Sequence, residues 1–165
     1  MSAQDMVVKL KKSRFFCNMQ TGDLEEVAKI CREVELPARM VVFEEYDRAE
    51  VVYVIMSGQV SLAICEPKQS CRQIAIVGEG DLVGWSALLG KTRLSDTAST
   101  LTPVKAMIFN GAELSKFCTE HPSFGLEFMR QAALAMALRL SGTRLQLLEM
   151  CGTHFPLSGP QLESD

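Results

Sequence analysis

Residues 51–64 read VVYVIMSGQVSLAI and decide the fold class. Two runs of β-branched and other apolar residues, 51–56 and 60–64, flank the dipeptide Ser57-Gly58. Runs of this length and composition predict strands, and a Ser-Gly pair between two strands is typical of a tight hairpin. The segment therefore predicts a β-rich region.

Further short apolar runs lie on either side of this segment, at 40–43 and 73–77, and polar or Gly-containing turns separate them. Many short strands at close spacing favour a sandwich or barrel over alternating βαβ units. We expect this β-rich section to extend over 35–110.

Helical patterns surround the β-rich section. Residues 1–34 predict short helices, with Asp23 as an N-cap and apolar residues at helical spacing from Leu24 to Cys31. Residues 111–151 predict a short helix, a break at His121-Pro122 and then a long helix over 124–150. We expect 152–165 to form a flexible tail.

The composition limits the function classes. The chain has 165 residues, 47% of them hydrophobic, which suits one domain with a substantial core and excludes a long disordered chain. The 20 acidic and 17 basic residues disfavour direct nucleic-acid binding, which depends on neutralising phosphates. No apolar run approaches a membrane span, and we find no signal peptide, so we expect a cytoplasmic protein without membrane contact.

Candidate metal and catalytic residues are sparse. The six cysteines contain no C-x-x-C pair, so we expect mostly buried free thiols and no metal site, with a redox or metal cluster as the alternative. His121 precedes Pro122 and is expected to cap or pack, while His154 has no acidic or nucleophilic neighbour. The acidic turn at 44–47 is best explained as loop chemistry, and we predict no enzyme and no catalytic residue.

The long helix carries a heptad pattern. Its a and d positions follow steps of 4 and 3 over three heptads: Met129, Ala133, Met136, Leu140, Thr143, Leu147 and Met150. A second apolar line contains Leu134, Leu138, Leu145 and Leu148. A helix with two apolar faces can bury one on its own domain and offer the other to a partner, so we predict a homodimer through this helix. The alternative is a single wide core stripe in a monomer.

Three further stretches carry a resemblance to a known family. Residues 42–47 resemble the turn (I/V)F-x-x-G-D, residues 53–60 resemble the hairpin Y-x-(I/V)-x-x-G-x-V, and residues 80–89 resemble the cassette opening G-D-x-F-G-E-x-A-L-L. Arg139, Leu140 and Thr143 resemble R-L-x-x-T in a dimerisation helix. In this order and spacing the chain resembles the cyclic-nucleotide-binding domain family, of the catabolite activator and Fnr type.

The resemblance implies a β-roll (a double-stranded β-helix or jelly roll) with flanking helices and a long C-terminal dimerisation helix, and a phosphate-binding cassette at 80–99. In the family, a Glu after the cassette glycine binds the ribose and an Arg about ten residues later pairs with the cyclic phosphate. Here Trp85 stands at the position of the Glu, and Asp96 stands at that of the Arg.

These two departures disfavour a cyclic nucleotide as the ligand. Losing one member of a buried charge pair costs about 3–5 kcal/mol, and a like charge at 4–5 Å adds roughly 3–4 kcal/mol at an effective dielectric constant near 20. Trp85 either fills the cavity, which we favour, or stacks on a planar ligand. Lys91 and Arg93 are expected to be solvated, although Arg93 could also restore a positive charge beside Asp96. The cassette residues predicted to line a ligand site are Gly84, Trp85, Ser86, Ala87, Arg93, Asp96, Thr97, Ala98 and Ser99.

The sequence thus predicts a stand-alone regulatory or sensor domain that is homodimeric and needs no cofactor. Two uses stay open for its altered cassette: sensing of an unidentified small-molecule effector, or service as a protein-interaction scaffold. Only 15 residues (165 − 150) follow Met150, and a helix-turn-helix needs about 20. We therefore expect no DNA-binding helix-turn-helix in this chain. The alternative is a transcription regulator that binds a cyclic nucleotide or other effector, or that acts through a partner that binds DNA.

Overall fold

The computed structural model describes residues 3–65 and 70–152, and the predicted tail at 153–165 lies outside this part of the chain. The helices are α1 (Ala3–Lys12), α2 (Thr21–Val27), α3 (Trp85–Leu88), α4 (Gly111–Glu120) and α5 (Pro122–Cys151). The strands are β1 (Cys31–Leu36), β2 (Val41–Phe43), β3 (Val51–Ser57), β4 (Val60–Cys65), β5 (Cys71–Val77), β6 (Leu82–Val83), β7 (Thr97–Thr100) and β8 (Val104–Asn110).

The strands form two antiparallel sheets of four, in the orders β1-β8-β3-β6 and β2-β7-β4-β5. Their apolar inner faces bury one cluster, the roll-interior core, which includes Ile55, Leu62, Val83, Ala98 and Ala106. The predicted β-roll with flanking helices and a long C-terminal helix is therefore confirmed.

The Ser57-Gly58 turn differs from the predicted hairpin. β3 pairs with β6 and β8 in one sheet, whereas β4 pairs with β5 and β7 in the other. The turn is thus a corner between sheets. Gly58 has φ +90°, and a Cβ there would lie 2.3 Å from the Pro103 carbonyl oxygen. This close approach explains why glycine occupies a corner that sequence alone cannot distinguish from a hairpin.

The first strand begins earlier than the predicted boundary at residue 34. α2 ends at Val27, and Cys31 already pairs with Phe109 of β8. Tertiary pairing with β8 overrides the helical spacing that extended the prediction to Cys31. Asp23 is also not the N-cap: Gln20 occupies that position, and the Asp23 carboxylate accepts a hydrogen bond from Ser123 Oγ at 3.1 Å.

A second buried cluster, the helix-side core, joins the helices to the roll. The ring centroids of Phe15 and Phe128 lie 4.9 Å apart in this cluster. Its largest members are six phenylalanines: Phe15, Phe16, Phe109, Phe117, Phe124 and Phe128. The predicted break at His121-Pro122 separates α4 from α5, and the His121 ring stacks on Phe117, as its packing role predicted.

α5 is buried only along its first half, through Phe124, Phe128, Ala132 and Ala135. Of the seven predicted seam positions, Met136 packs against the helix-side core, and the other six are exposed. Leu140 and Leu147 keep 53% and 49% of their surface in solvent, so an apolar line remains available on this helix. No helix in the described ranges is both long and apolar enough to cross a bilayer.

The expectation of mostly buried free thiols is wrong for four of the six cysteines. Cys65 and Cys71 form a disulfide, and Cys17 and Cys151 are exposed. Cys31 is buried and Cys118 is partly buried, and burial raises the pKa of each thiol to about 11. The disulfide arises because β4 and β5 place Cys65 opposite Cys71, a register that spacing alone does not reveal.

Candidate functional site

The cassette keeps a defined backbone frame. β6 ends at Val83, Gly84 turns the chain at φ +74°, and α3 begins at Trp85. A Cβ at Gly84 would lie 2.4 Å from the Val51 carbonyl oxygen, so only glycine fits this turn. Ser86 and Ala87 are buried behind the frame. These two predicted ligand residues therefore support the cassette from within and expose little of their side chains.

Asp96 lies just before β7, at the other end of the cassette, and is partly buried. Burial raises the pKa of the Asp96 carboxyl, and the nearby Glu45 carboxylate adds to this shift. A hydrogen bond with Ser95 and the positive charge of Arg139 act in the opposite direction. The end of the cassette before β7 thus carries a carboxyl whose pKa is raised above its ordinary value, mainly by burial.

A guanidinium approaches this acid from α5. Arg139 Nη2 donates a hydrogen bond to the Leu82 carbonyl oxygen at 2.8 Å. Its Nε is buried without a hydrogen-bond partner among the described residues. Burial lowers the pKa of Arg139, whereas the charges of Asp81 and Asp96 act to raise it. The buried Nε–H is a donor that a ligand acceptor could satisfy.

Arg139 lines a groove of about 580 Å³ that lies between β5, the loop at 79–81 and α5. Ile74, Val77 and Leu138 give the groove apolar walls. Its polar lining includes Arg14, Asp81, Gln131, Arg139, Thr143 and Gln146. Apolar walls with a few charged and amide groups are typical of small-molecule sites.

Trp85 packs against the helix-side core, and Lys91 Nζ lies 5.1 Å from the centre of its ring. The indole is therefore partly buried against the helix-side core, and it does not fill the roll interior as the favoured prediction had it.

Arg93 does not supply the missing charge. It is exposed, and its Nη1 donates a hydrogen bond to the Tyr46 carbonyl oxygen at 3.0 Å. The sequence prediction missed that Arg139 is the cation whose charge acts on Asp96. The signal was present in the spacing, since Arg139 continues the buried stripe of Phe128, Ala132 and Ala135 at helical intervals.

The remaining cassette residues form strand β7. Ala98 is buried, and Ser99 pairs with Val41 and Ser61 across the sheet. Thr97 Oγ1 accepts a hydrogen bond from the Glu45 amide at 3.0 Å. These residues hold the acidic turn against the cassette, in agreement with the loop role predicted for that turn.

Comparison with known proteins identifies the family. Residues 33–121 match the model of the Cyclic nucleotide-binding domain. The chain belongs to the cyclic nucleotide-binding domain family. It is 22% identical over 147 residues to the CRP-like cAMP-activated global transcriptional regulator of Mycobacterium tuberculosis, an alignment that covers 89% of this chain and 64% of the regulator. This cyclic nucleotide-binding domain thus spans less than two thirds of its curated relative.

Solved structures support the same fold. A cyclic nucleotide-binding domain from Methylobacillus flagellatus superposes with a TM-score of 0.73 at 15% identity, over 90% of this chain and 83% of that one. The c-di-GMP responsive global regulator CLP of Xanthomonas campestris has a TM-score of 0.72 at 18% identity, over 81% of this chain and 66% of that one. At these identities the likeness concerns the fold alone.

Proposed function

We propose that this cyclic nucleotide-binding domain is a regulatory sensor that binds a small molecule between the roll and α5, without the family's usual contact to a cyclic phosphate. The observation that carries the proposal is the placement of Asp96 at the cassette edge, partly buried and close to the charges of Glu45 and Arg139. A cyclic phosphate seated there would face a carboxylate instead of a guanidinium.

The energetic cost of that contact is large. Repulsion between two unit charges at 4–5 Å is roughly 3–4 kcal/mol at an effective dielectric constant near 20. Each 1.4 kcal/mol changes affinity about tenfold, so this repulsion alone weakens binding by about two to three orders of magnitude. Protonation of the Asp96 carboxyl on binding would reduce this cost, and burial shifts the pKa of the carboxyl in that direction.

The groove indicates what kind of ligand fits. Arg139 contributes a buried, unpaired Nε–H, and Gln131 and Thr143 add neutral polar groups near apolar walls. We therefore propose a ligand with an apolar body and one acceptor group, such as a carboxylate or carbonyl oxygen, that meets Arg139. The Xanthomonas regulator of similar fold is c-di-GMP responsive, which supports testing ligands other than cyclic AMP.

The proposed output is a movement of α5. A ligand in the groove contacts α5 through Arg139 and contacts the roll through Asp81 or Val77. Such a ligand favours one arrangement of helix against roll over another. The exposed heptad line on α5 would pass this change to a second copy of the chain, in a homodimer.

Thermal unfolding with added ligands tests the proposal. We would compare the wild-type chain with R139Q, and with R130Q as the matched control, because Arg130 is exposed on the same helix. The probes are cyclic AMP, cyclic GMP, cyclic di-GMP and a set of common carboxylate metabolites. A compound at a hundredfold excess over its Kd adds about 2.7 kcal/mol of stability. We expect no shift with cyclic AMP or cyclic GMP, and a carboxylate-dependent shift that R139Q abolishes and R130Q retains. A clear shift of the wild type with cyclic AMP would overturn the proposal.

A second candidate is a transcription regulator, favoured by the resemblance to the cAMP-activated regulator of M. tuberculosis. In that case the heptad line on α5 would pair with a DNA-binding relative. Co-expression and purification of mixed dimers would support this candidate, and exclusive self-association would count against it.

A further inference from the structure

We infer that Cys65 and Cys71 form a reversible dithiol–disulfide pair whose redox state controls the hydrogen bonds that hold the acidic turn against the cassette. The two cysteines face each other in register near the end of the β4–β5 pair, and their Cα atoms lie 4.1 Å apart. The redox step does not depend on the proposed function. Any effect of the redox state on ligand binding would depend on it.

The disulfide adds little to the roll as a structural link. β4 and β5 are already joined by a backbone ladder that runs from Val60 and Val77 to the two cysteines. The bond closes a loop with a sequence separation of only 6, and short loops lose the least chain entropy when they are cross-linked. A bond that contributes little to folding can open while the fold persists.

The two sulfurs differ in their surroundings. Cys71 is exposed, whereas Cys65 is partly buried. A small thiolate can therefore reach the Cys71 sulfur from solvent and expel Cys65 as the leaving thiolate. Thr97 Oγ1 lies 3.6 Å from Cys65 Sγ, where its hydroxyl can donate a hydrogen bond to that thiolate. Stabilising the Cys65 thiolate as the leaving group favours exchange by attack on the Cys71 sulfur.

Cys65 also belongs to a ring of contacts with the cassette. The Cys65 amide donates a hydrogen bond to Glu45 Oε2 at 3.0 Å, and the Glu45 amide donates one to Thr97 Oγ1 at 3.0 Å. The Cys65 sulfur closes the ring through Thr97. Glu45 is the carboxylate that adds to the raised pKa of Asp96. When the disulfide opens, Cys65 loses its covalent link to β5 and is held there only by the end of the backbone ladder, so the ring is less firmly fixed.

The reaction is an exchange with a low-molecular-weight disulfide such as oxidised glutathione. In the oxidising direction, the Cys71 thiolate attacks the glutathione disulfide, forms a mixed disulfide and releases one glutathione thiolate. The Cys65 thiolate then attacks the Cys71 sulfur and releases the second glutathione. The protein pair loses two electrons, which reduce one glutathione disulfide to two thiols, and the protons of the protein thiols pass to the released thiolates.

The test uses the full chain with Cys17 and Cys151 replaced by Ser, because these two exposed thiols would otherwise add their own chemistry. The protein is equilibrated with mixtures of reduced and oxidised glutathione, alkylated under denaturing conditions and weighed by mass spectrometry. With Cys31 and Cys118 always free, the oxidised form alkylates at two positions and the reduced form at four (2 + 2). We expect the folded protein to convert between the two forms as the glutathione ratio changes.

Amide hydrogen exchange tests the link to the cassette without any ligand. On reduction we expect the amides of Cys65 and Glu45 to exchange at least tenfold faster, while that of Leu62 in the middle of β4 stays unchanged. The double variant C65S/C71S should reproduce the exchange of the reduced form, which separates the missing bond from the effects of the reducing agent.

Two outcomes would overturn the inference. One is a pair that stays entirely oxidised in excess reduced glutathione, or entirely reduced in excess oxidised glutathione, while the protein remains folded. The other is equal exchange of the Cys65 and Glu45 amides in the two forms. Neither outcome bears on whether a small molecule binds at Arg139, so the inference and the proposed function can fail separately.

Discussion

The cassette and helix α5 differ in the charge that each brings to the edge of the roll. The cassette keeps a tight backbone turn at Gly84 and carries the Asp96 carboxyl at its other end. Helix α5 contributes the Arg139 guanidinium, which donates a hydrogen bond to the carbonyl oxygen of Leu82. The difference teaches that backbone shape and charge can be separated in this fold. A ligand drawn to Arg139 would act directly on the helix that carries the predicted dimer seam.

Disrupting the backbone turn of the cassette at Gly84 should have the largest effect. Gly84→Ala introduces a Cβ that meets the Val51 carbonyl oxygen at 2.4 Å, in a backbone conformation that L residues rarely adopt. We expect the free energy of unfolding to fall by about 3 kcal/mol or more, as measured by urea denaturation. Gly90→Ala is the matched control, because Gly90 has φ +67° but open space around its Cβ position. The free energy of unfolding of this control should fall by only about 1 kcal/mol. Equal losses in the two variants would show that the Gly84 turn is not tightly packed.

Introducing charges into the predicted dimer seam on α5 should have the next largest effect. In the double variant L140E/L147E, two leucines that are about half exposed in the single chain become charged. If they are buried between two copies, each contributes roughly 1.5–3 kcal/mol, so self-association should weaken at least about a hundredfold. Light scattering over a range of protein concentrations measures this loss.

Leu145→Glu is the control for the seam, because Leu145 is exposed on the same helix but lies on the second apolar line. It should leave the dimer intact. A wild-type chain that stays monomeric at high concentration, or a double variant that still dimerises, would contradict the predicted interface.

A smaller effect tests the electrostatic interaction between α5 and the cassette. Arg139 acts to lower the pKa of the Asp96 carboxyl, so Arg139→Gln should raise that pKa further. Carboxyl-detected NMR titration of Asp96 measures the shift. Arg130→Gln removes an exposed guanidinium that pairs with Glu127, and it should leave the Asp96 titration unchanged. The same titration curve in R139Q and the wild type would mean that Arg139 and Asp96 do not interact.

The smallest effect concerns pH and stability. Because the pKa of Asp96 is raised above its ordinary value of 3.8, the folded state holds this proton more tightly than the unfolded state. The contribution of Asp96 to stability is therefore present below pH 3.8 and is lost as the pH rises through the raised pKa. Asp96→Asn should gain stability relative to the wild type as the pH increases over this range. Glu120→Gln, which also removes one carboxylate, is the control, and a constant difference between D96N and wild type would contradict the raised pKa.

Much of the fold could be predicted because its signals are local. The apolar runs that became β3, β4 and β5, and the periodicity of α5, each depend on residues that are close in sequence. The errors at Cys31, Asp23 and Ser57-Gly58 share one cause. In each case a partner from a distant segment, such as Phe109, Ser123 or Pro103, decides the local structure.

The site was less predictable for the same reason. The replacements at Trp85 and Asp96 are visible in the sequence, whereas the contact between Arg139 and Leu82 spans 57 residues. The Cys65–Cys71 bond depends on the register of β4 and β5, which the spacing of the cysteines does not specify. Residues at motif positions can be compared from one sequence, but the distant residues that contact them cannot be identified in this way.

Titration calorimetry of cyclic AMP into the wild type, D96N and W85E/D96R tests the central claim most directly, with thermal unfolding as a check that each variant folds. We predict no binding heat for the wild type or D96N at millimolar cyclic AMP, and measurable binding once the family's Glu and Arg are restored in W85E/D96R. Micromolar binding of cyclic AMP to the wild type, retained in D96N, would contradict the claim that Asp96 closes this cassette to a cyclic phosphate.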